Sequence, residues 1–141
     1  MVRKFAVVAL FAVASFAVAD DKKDMKALNG TWTVEKAEVE GSDQTTAFST
    51  AKLELTDGKY TSEFAGLKDE GTFTTDPTKT PKTMDITGGE GPNKGKKFPS
   101  IYELKDDTLT ICYGLDEKTR PTKMETAKGS NTMLAVYKRK K

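Results

Sequence analysis

Few side chains in this chain could do chemistry, and their spacing narrows the choice further. Histidine is absent from the 141 residues, which excludes Ser-His-Asp and Cys-His nucleophilic catalysis, histidine-containing zinc sites and most proton shuttling near neutral pH. Cys112 is the sole cysteine. Its context, TLTICY, supplies no base or cation to generate a thiolate, so it reads as a small packing residue, and without a second thiol no intramolecular disulfide can form. The acidic pairs Asp20-Asp21, Asp106-Asp107 and Asp116-Glu117 lack the D-x-[DN]-x-[DN]-G spacing of a calcium loop and read as solvated turns. Carboxylates for glycoside hydrolysis are defined by their separation in space, and no pair stands out in the sequence. The glycine-rich run over residues 88–95 meets neither G-x-x-x-x-G-K-[ST] nor G-x-G-x-x-G, and no helical pattern follows it, so a flexible interstrand loop is expected there. The expectation is a non-enzyme with no cofactor and no metal.

Two features leave room for ligand binding. Arg120, in Arg120-Pro121-Thr122, is one of two arginines beyond residue 19, against 19 lysines. Its planar fork could clamp a ligand carboxylate at a cavity mouth, or bridge to an acidic side chain and cap loop carbonyls. The aromatics Tyr60, Phe64, Phe73, Phe98 and Tyr102 fall at strand spacing, where they line a cavity or fill a core. The expected ligand-binding set is Tyr60, Phe64, Tyr102 and Arg120.

The elements that must position these residues read as strands. From Thr31 onward, short stretches of alternating polarity are punctuated by Gly, Pro, Asn and Asp, the pattern of an all-β chain. Leu53 and Leu55, then Asp57-Gly58, then Tyr60 and Phe64 predict a hairpin with a DG turn. Phe73 lies in GTFTT, Pro77 and Pro81 mark a connection, and Met84 and Ile86 sit in MDIT. Phe98, Tyr102 and Leu104 share a face in FPSIYEL; Leu109, Ile111 and Tyr113 share one in TLTICY, with Cys112 pointing the other way. A weak strand is expected around Met124. The stretch TMLAVYKR is apolar from Met133 to Tyr137 and predicts a strand covered on both sides. In TWTVEKAEV, Trp32 and Val34 are out of phase with Ala37 and Val39, predicting a β-bulge near Glu35-Lys36. Eight or nine strands emerge, with at most two short helices, at Asp24 to Leu28 and Gln44 to Thr50.

The opening residues, MVRKFAVVALFAVASFAVAD, have Arg3 and Lys4 before an apolar run and an Ala17-Val18-Ala19 site, the pattern of a cleaved secretory signal peptide over residues 1–19. No membrane span is expected after cleavage. Removing Arg3 and Lys4 leaves 21 basic residues against 21 acidic ones. Such a neutral chain lacks the surplus of basic charge by which nucleic-acid binders displace counterions, and the Lys138 to Lys141 run reads as a solvated terminus. Only 35 of the 122 residues from Asp20 onward are apolar, enough for one thin core, which favours a single sheet closed on itself over a layered domain.

Asn29-Gly30-Thr31 fits a glycosylation sequon and Asn29-Gly30 a hairpin turn, but the stretch before Asn29 is helical in character rather than strand-like. Gly30-x-Trp32 at the start of the first strand resembles the lipocalin signature, in which a basic side chain of the final strand covers the tryptophan. Gly30, Trp32 and Arg139 (or Lys138) are the matching positions. The T-D-Y motif of that family is replaced by Thr56-Asp57-Gly58-Lys59. A broader resemblance covers nearly the whole mature chain. LNGTW, DGKYT, EGTFTTDPTKTPKTMDIT, GPNKGKKFPSIYEL, DTLTICY and GSNTMLAVYKR resemble a lipocalin-like domain family of secreted or periplasmic planctomycete proteins, of uncharacterised function. The resemblance implies a bacterial, extracytoplasmic β-barrel and transfers no catalytic residues.

The fold expectation is therefore all-β, a single small antiparallel lipocalin-like barrel of about eight strands over residues 20–141, plugged by Gly30, Trp32 and Arg139. Two functions fit: holding a small apolar or amphipathic ligand outside the cytoplasm, or acting through the surface of a packed barrel on an extracytoplasmic protein.

Overall fold

Alternation of apolar and polar residues decides which side of a strand becomes interior, and here it closes one sheet into a cylinder. The computed structural model describes residues 22–141, so the expected signal segment lies outside the described residues. A helix, α1, spans residues 22–28. The strands are β1 (Gly30–Val39), β2 (Ser42–Asp43), β3 (Lys52–Thr56), β4 (Lys59–Phe64), β5 (Leu67–Asp76), β6 (Lys82–Glu90), β7 (Lys97–Lys105), β8 (Thr108–Gly114) and β9 (Thr132–Arg139). From β3 to β9 each strand pairs antiparallel with the next, and β1 joins β3 on one side to β9 on the other. The result is a closed eight-stranded antiparallel barrel. Strand β2 is a two-residue flange on the end of β1.

The bulge in β1 lies where the phase change predicts it. Val34 opposes Tyr137 but Lys36 opposes Val136, so Glu35 is the extra residue. The insertion turns Ala37 and Val39 to the same side as Trp32 and Val34, keeping one strand apolar toward the interior along its length. Turn chemistry sets the hairpins. At Asp57-Gly58 and Ala65-Gly66 both central residues have positive φ, 45° and 84° in the first, 53° and 79° in the second, as a two-residue turn matching strand twist requires.

One end of the barrel is stoppered. Trp32 is fully buried in the core with Leu28, and its indole N–H donates to the Leu28 carbonyl at 3.0 Å. Arg139, rather than Lys138, covers it, with the guanidinium carbon 4.3 Å from the ring centre. The same fork donates to the carbonyls of Asn29 (2.6 Å) and Ala27 (2.8 Å) and to Asp107 (3.1 Å). The carbonyls left over at the C-terminus of α1 are thus satisfied by a cation and an indole, which fastens the helix across the barrel end. A Cβ on Gly30 would stand 2.8 Å from Arg139 Nη1, so the close backbone approach at this position is a direct requirement of the clasp. The Asn29 amide is engaged as well, donating to Asp57 and accepting from its backbone N–H.

A smaller apolar cluster of Ile101, Cys112 and Leu134 lies on the outer face of β7–β9, with Met124 packed on it. This is why β9 is apolar on both sides. Met124 itself belongs to the loop between β8 and β9, not to the weak strand expected there: the segment lies over the sheet and packs a side chain instead of joining the ladder. The expected helix over Gln44 to Thr50 is also replaced, by consecutive turns. Thr45 spends its backbone N–H and hydroxyl on Asp43 (2.9 and 2.6 Å), a local alternative to helical bonding open to short polar residues. In the basic run at the C-terminus, Lys138 and Arg139 lie within β9, while the side chains of Lys138, Lys140 and Lys141 are solvated and Lys141 pairs with Asp107 at 3.1 Å. No helix among the described residues is long and apolar enough to cross a membrane.

Candidate ligand cavity

At the end of the barrel away from Trp32, inward side chains leave a cavity of about 320 Å³. Its size follows from strand number, because eight strands enclose an interior that side chains can just fill or that can hold one small molecule. The wall is built from the inward positions of β1 and of β3 to β9, including Leu53, Leu55, Phe73, Met84, Ile86 and Ile111. The rim is formed by the turn segment before β3 and the end of β4, where Phe48 stacks on Phe64 with ring centres 4.7 Å apart.

Of the four residues expected to bind ligand, two line this cavity and two do not. Tyr60 and Phe64 are on the wall, as are Phe73 and Phe98. Tyr102 is buried in the core outside the lining, and its hydroxyl meets the carboxylate of Asp24, which also accepts from Lys82 Nζ at 2.9 Å. It helps tie α1 to the barrel. Arg120 also lies away from the cavity: its fork takes the carbonyls of Ser100 (2.8 Å) and Met84 (3.3 Å) and the carboxylate of Asp85 (2.5 Å). It therefore caps carbonyls and bridges to an acid.

Apart from Tyr60, the polar groups in the cavity come from residues that composition and motif did not single out. Asp69, almost fully buried, accepts from the Tyr60 hydroxyl (2.9 Å), the Asn93 backbone N–H (3.1 Å) and the Asn93 side-chain amide (2.9 Å). Burial and the neighbouring Asp69 carboxylate push the Tyr60 phenol far above its usual titration range. Asn93 reaches Asp69 because Gly88 leaves space beneath its loop, where a Cβ would lie 1.8 Å from the Asn93 carbonyl oxygen. Gly88, Gly89 and Glu90 are part of β6, opposite β5, so only residues 91–95 of the glycine-rich run form a loop, and it is pinned at Asn93. The second polar spot is the pair Tyr113 and Tyr137, whose hydroxyls are 2.7 Å apart. Burial drives Tyr137 up to about 12, and burial followed by the adjoining Tyr137 drives Tyr113 well above its usual value, so both are neutral donors across the physiological range.

The signal that places Asp69 inside is alternation. Asp69, Gly71 and Phe73 occupy the inward positions of β5, but the charged run LKDEG hides it. Cys112, for its part, is buried behind the outer cluster with its sulfur 3.7 Å from the Glu125 carbonyl, and burial raises its thiol above the ordinary value. Among the described residues no group of His, Cys, Asp and Glu is placed to hold a metal ion. No protein-family model, curated protein or solved structure matches the chain.

Proposed function

We propose that this protein is an exported, non-catalytic carrier that holds one small apolar or amphipathic molecule inside its barrel. The observation that carries the reading is the cavity of about 320 Å³, walled by apolar and aromatic side chains with few, localised polar groups. Small-molecule sites have that character, and their volumes begin near 300 Å³. Taking the ~30 Å³ that each water occupies in the liquid as an upper bound per heavy atom, the space suits roughly ten to fifteen non-hydrogen atoms. Export rests on the pattern of residues 1–19. A barrel with a packed interior acting only through its surface leaves this cavity without a role. The partly exposed Phe64 and Leu115 belong to the cavity lining, so they serve as its lip.

The test is native mass spectrometry of the protein purified from its own host, joined to thermal-shift measurements with fatty acids and small aromatic compounds. A co-purifying mass, or a rise in melting temperature with a subset of the panel, is expected. No bound mass and no shift with any compound defeats the proposal.

A further inference from the structure

We infer that the ligand is a small organic cation, a protonated amine on an aromatic or apolar body, with Asp69 as its counter-charge. The inference rests on the carrier reading and adds the chemical class.

Charge distribution inside the barrel is lopsided. The ionisable lining residues apart from tyrosine are Lys52, Glu63 and Asp69. Lys52 and Glu63 face each other across β3 and β4 at the exposed rim, and their charges offset one another. Asp69 is the one buried carboxylate of the lining, and it pairs with no lysine or arginine among the described residues. Buried charges are ordinarily paired, because desolvation without a partner is costly. Its three hydrogen bonds come from uncharged donors, Tyr60 and Asn93. A carboxylate has about four acceptor sites, so three bonds leave one, on the Oδ1 side, for a further donor.

The rest of the wall fits the same class. Seven of the nine aromatic residues beyond residue 19 line the cavity, and their ring faces attract cations. An anionic ligand, such as a fatty acid entering head first, would meet Asp69 with no cation to offset it. A neutral ligand would leave the negative charge uncompensated. An ammonium supplies the missing partner and keeps its apolar body against Leu55, Phe73 and Ile111.

Three probes of one shape decide the matter: tryptamine, the neutral alcohol tryptophol, and the anion indole-3-propionate, each titrated by calorimetry. Tryptamine is expected to bind at least about tenfold more tightly than tryptophol, as a charge-assisted hydrogen bond implies, and indole-3-propionate more weakly than either. Asp69→Asn is expected to abolish the preference for the amine over tryptophol. Equal binding of all three, preference for the anion, or an Asp69→Asn protein that still selects the amine overturns the inference while leaving the carrier reading in place. Failure of these probes and of the neutral and fatty-acid panel together overturns both. Should Asp69→Asn not fold, the order of affinities across the three probes on the native chain is sufficient by itself to support or overturn the inference.

Discussion

Trp32→Ala removes a fully buried indole from the stoppered end of the barrel, and the structure sets the size of the effect. Emptying a buried tryptophan site costs about 3 to 5 kcal/mol. The upper half of that range applies here, because three losses coincide. The space lies beneath α1 and between paired strands that cannot collapse into it; the Leu28 carbonyl loses its donor, worth about 1 kcal/mol; and the Arg139 guanidinium loses the ring it stacks on, worth about 0.5 to 1 kcal/mol. About 4 to 5 kcal/mol in all is expected, or a fall in melting temperature of roughly 12 to 20 °C for a domain of this size. Trp32→Phe keeps most of the volume but forfeits the N–H, and about 1 to 2 kcal/mol is expected. Trp32 is the sole tryptophan, so its removal also removes the convenient fluorescence signal, and urea unfolding should be followed by far-UV circular dichroism. A loss under about 1 kcal/mol for the alanine variant, with the phenylalanine variant no better, refutes the stopper and the clasp built on it.

Gly88→Ala forces a methyl into the Asn93 carbonyl oxygen, 1.8 Å from the ideal Cβ position. It is expected to displace the loop, release Asp69 from Asn93 and cost at least about 2 kcal/mol by chemical denaturation, as overpacking against backbone does; a neutral result means that the loop is not seated as described. The buried phenols make stability depend on alkaline pH. Tyr60, Tyr113 and Tyr137 have folded values raised above the unfolded one, so their contribution is complete below pH ~10 and declines above it, by up to about 1.4 kcal/mol per pH unit for each phenol. Absorbance near 295 nm should show these three ionising together with unfolding, and reversible titration of all three near pH 10 in the folded protein would contradict their burial.

Local patterning carried much of this architecture. The Asp57-Gly58 turn, the bulge at Glu35 and the double-sided apolarity of β9 are each written in a few adjacent residues. What the sequence hid was tertiary. Ala65-Gly66 forms the same kind of tight turn as Asp57-Gly58, but alanine is not a residue that advertises positive φ. Gln44 to Thr50 has a helix-like apolar position in Phe48, yet Thr45 and Asp43 bond locally and Phe48 is drawn to Phe64. Met124 is apolar because it shelters Cys112, not because it pairs in a ladder. In the cavity, Tyr60 and Phe64 were readable from strand phase. Tyr102 shares that phase but stands too near the stopper, and Arg120 binds outward because Asp85 and two carbonyls lie within its reach. Asp69 and Asn93 meet only when the loop after β6 folds under Gly88, a long-range contact that no window of sequence contains.

The seam between β1 and β9 has a consequence for how the chain acquires its shape. Trp32 and Arg139 are partners across that seam, so the cylinder cannot close until residue 139 has been synthesised. Until then β1 and β8 each present an unsatisfied edge, and the cation that caps α1 is missing. Closure is therefore a late event dominated by a distant pairing, the sort that slows folding and leaves an adhesive intermediate. A nascent or truncated chain ending before β9 should be the form that needs a chaperone.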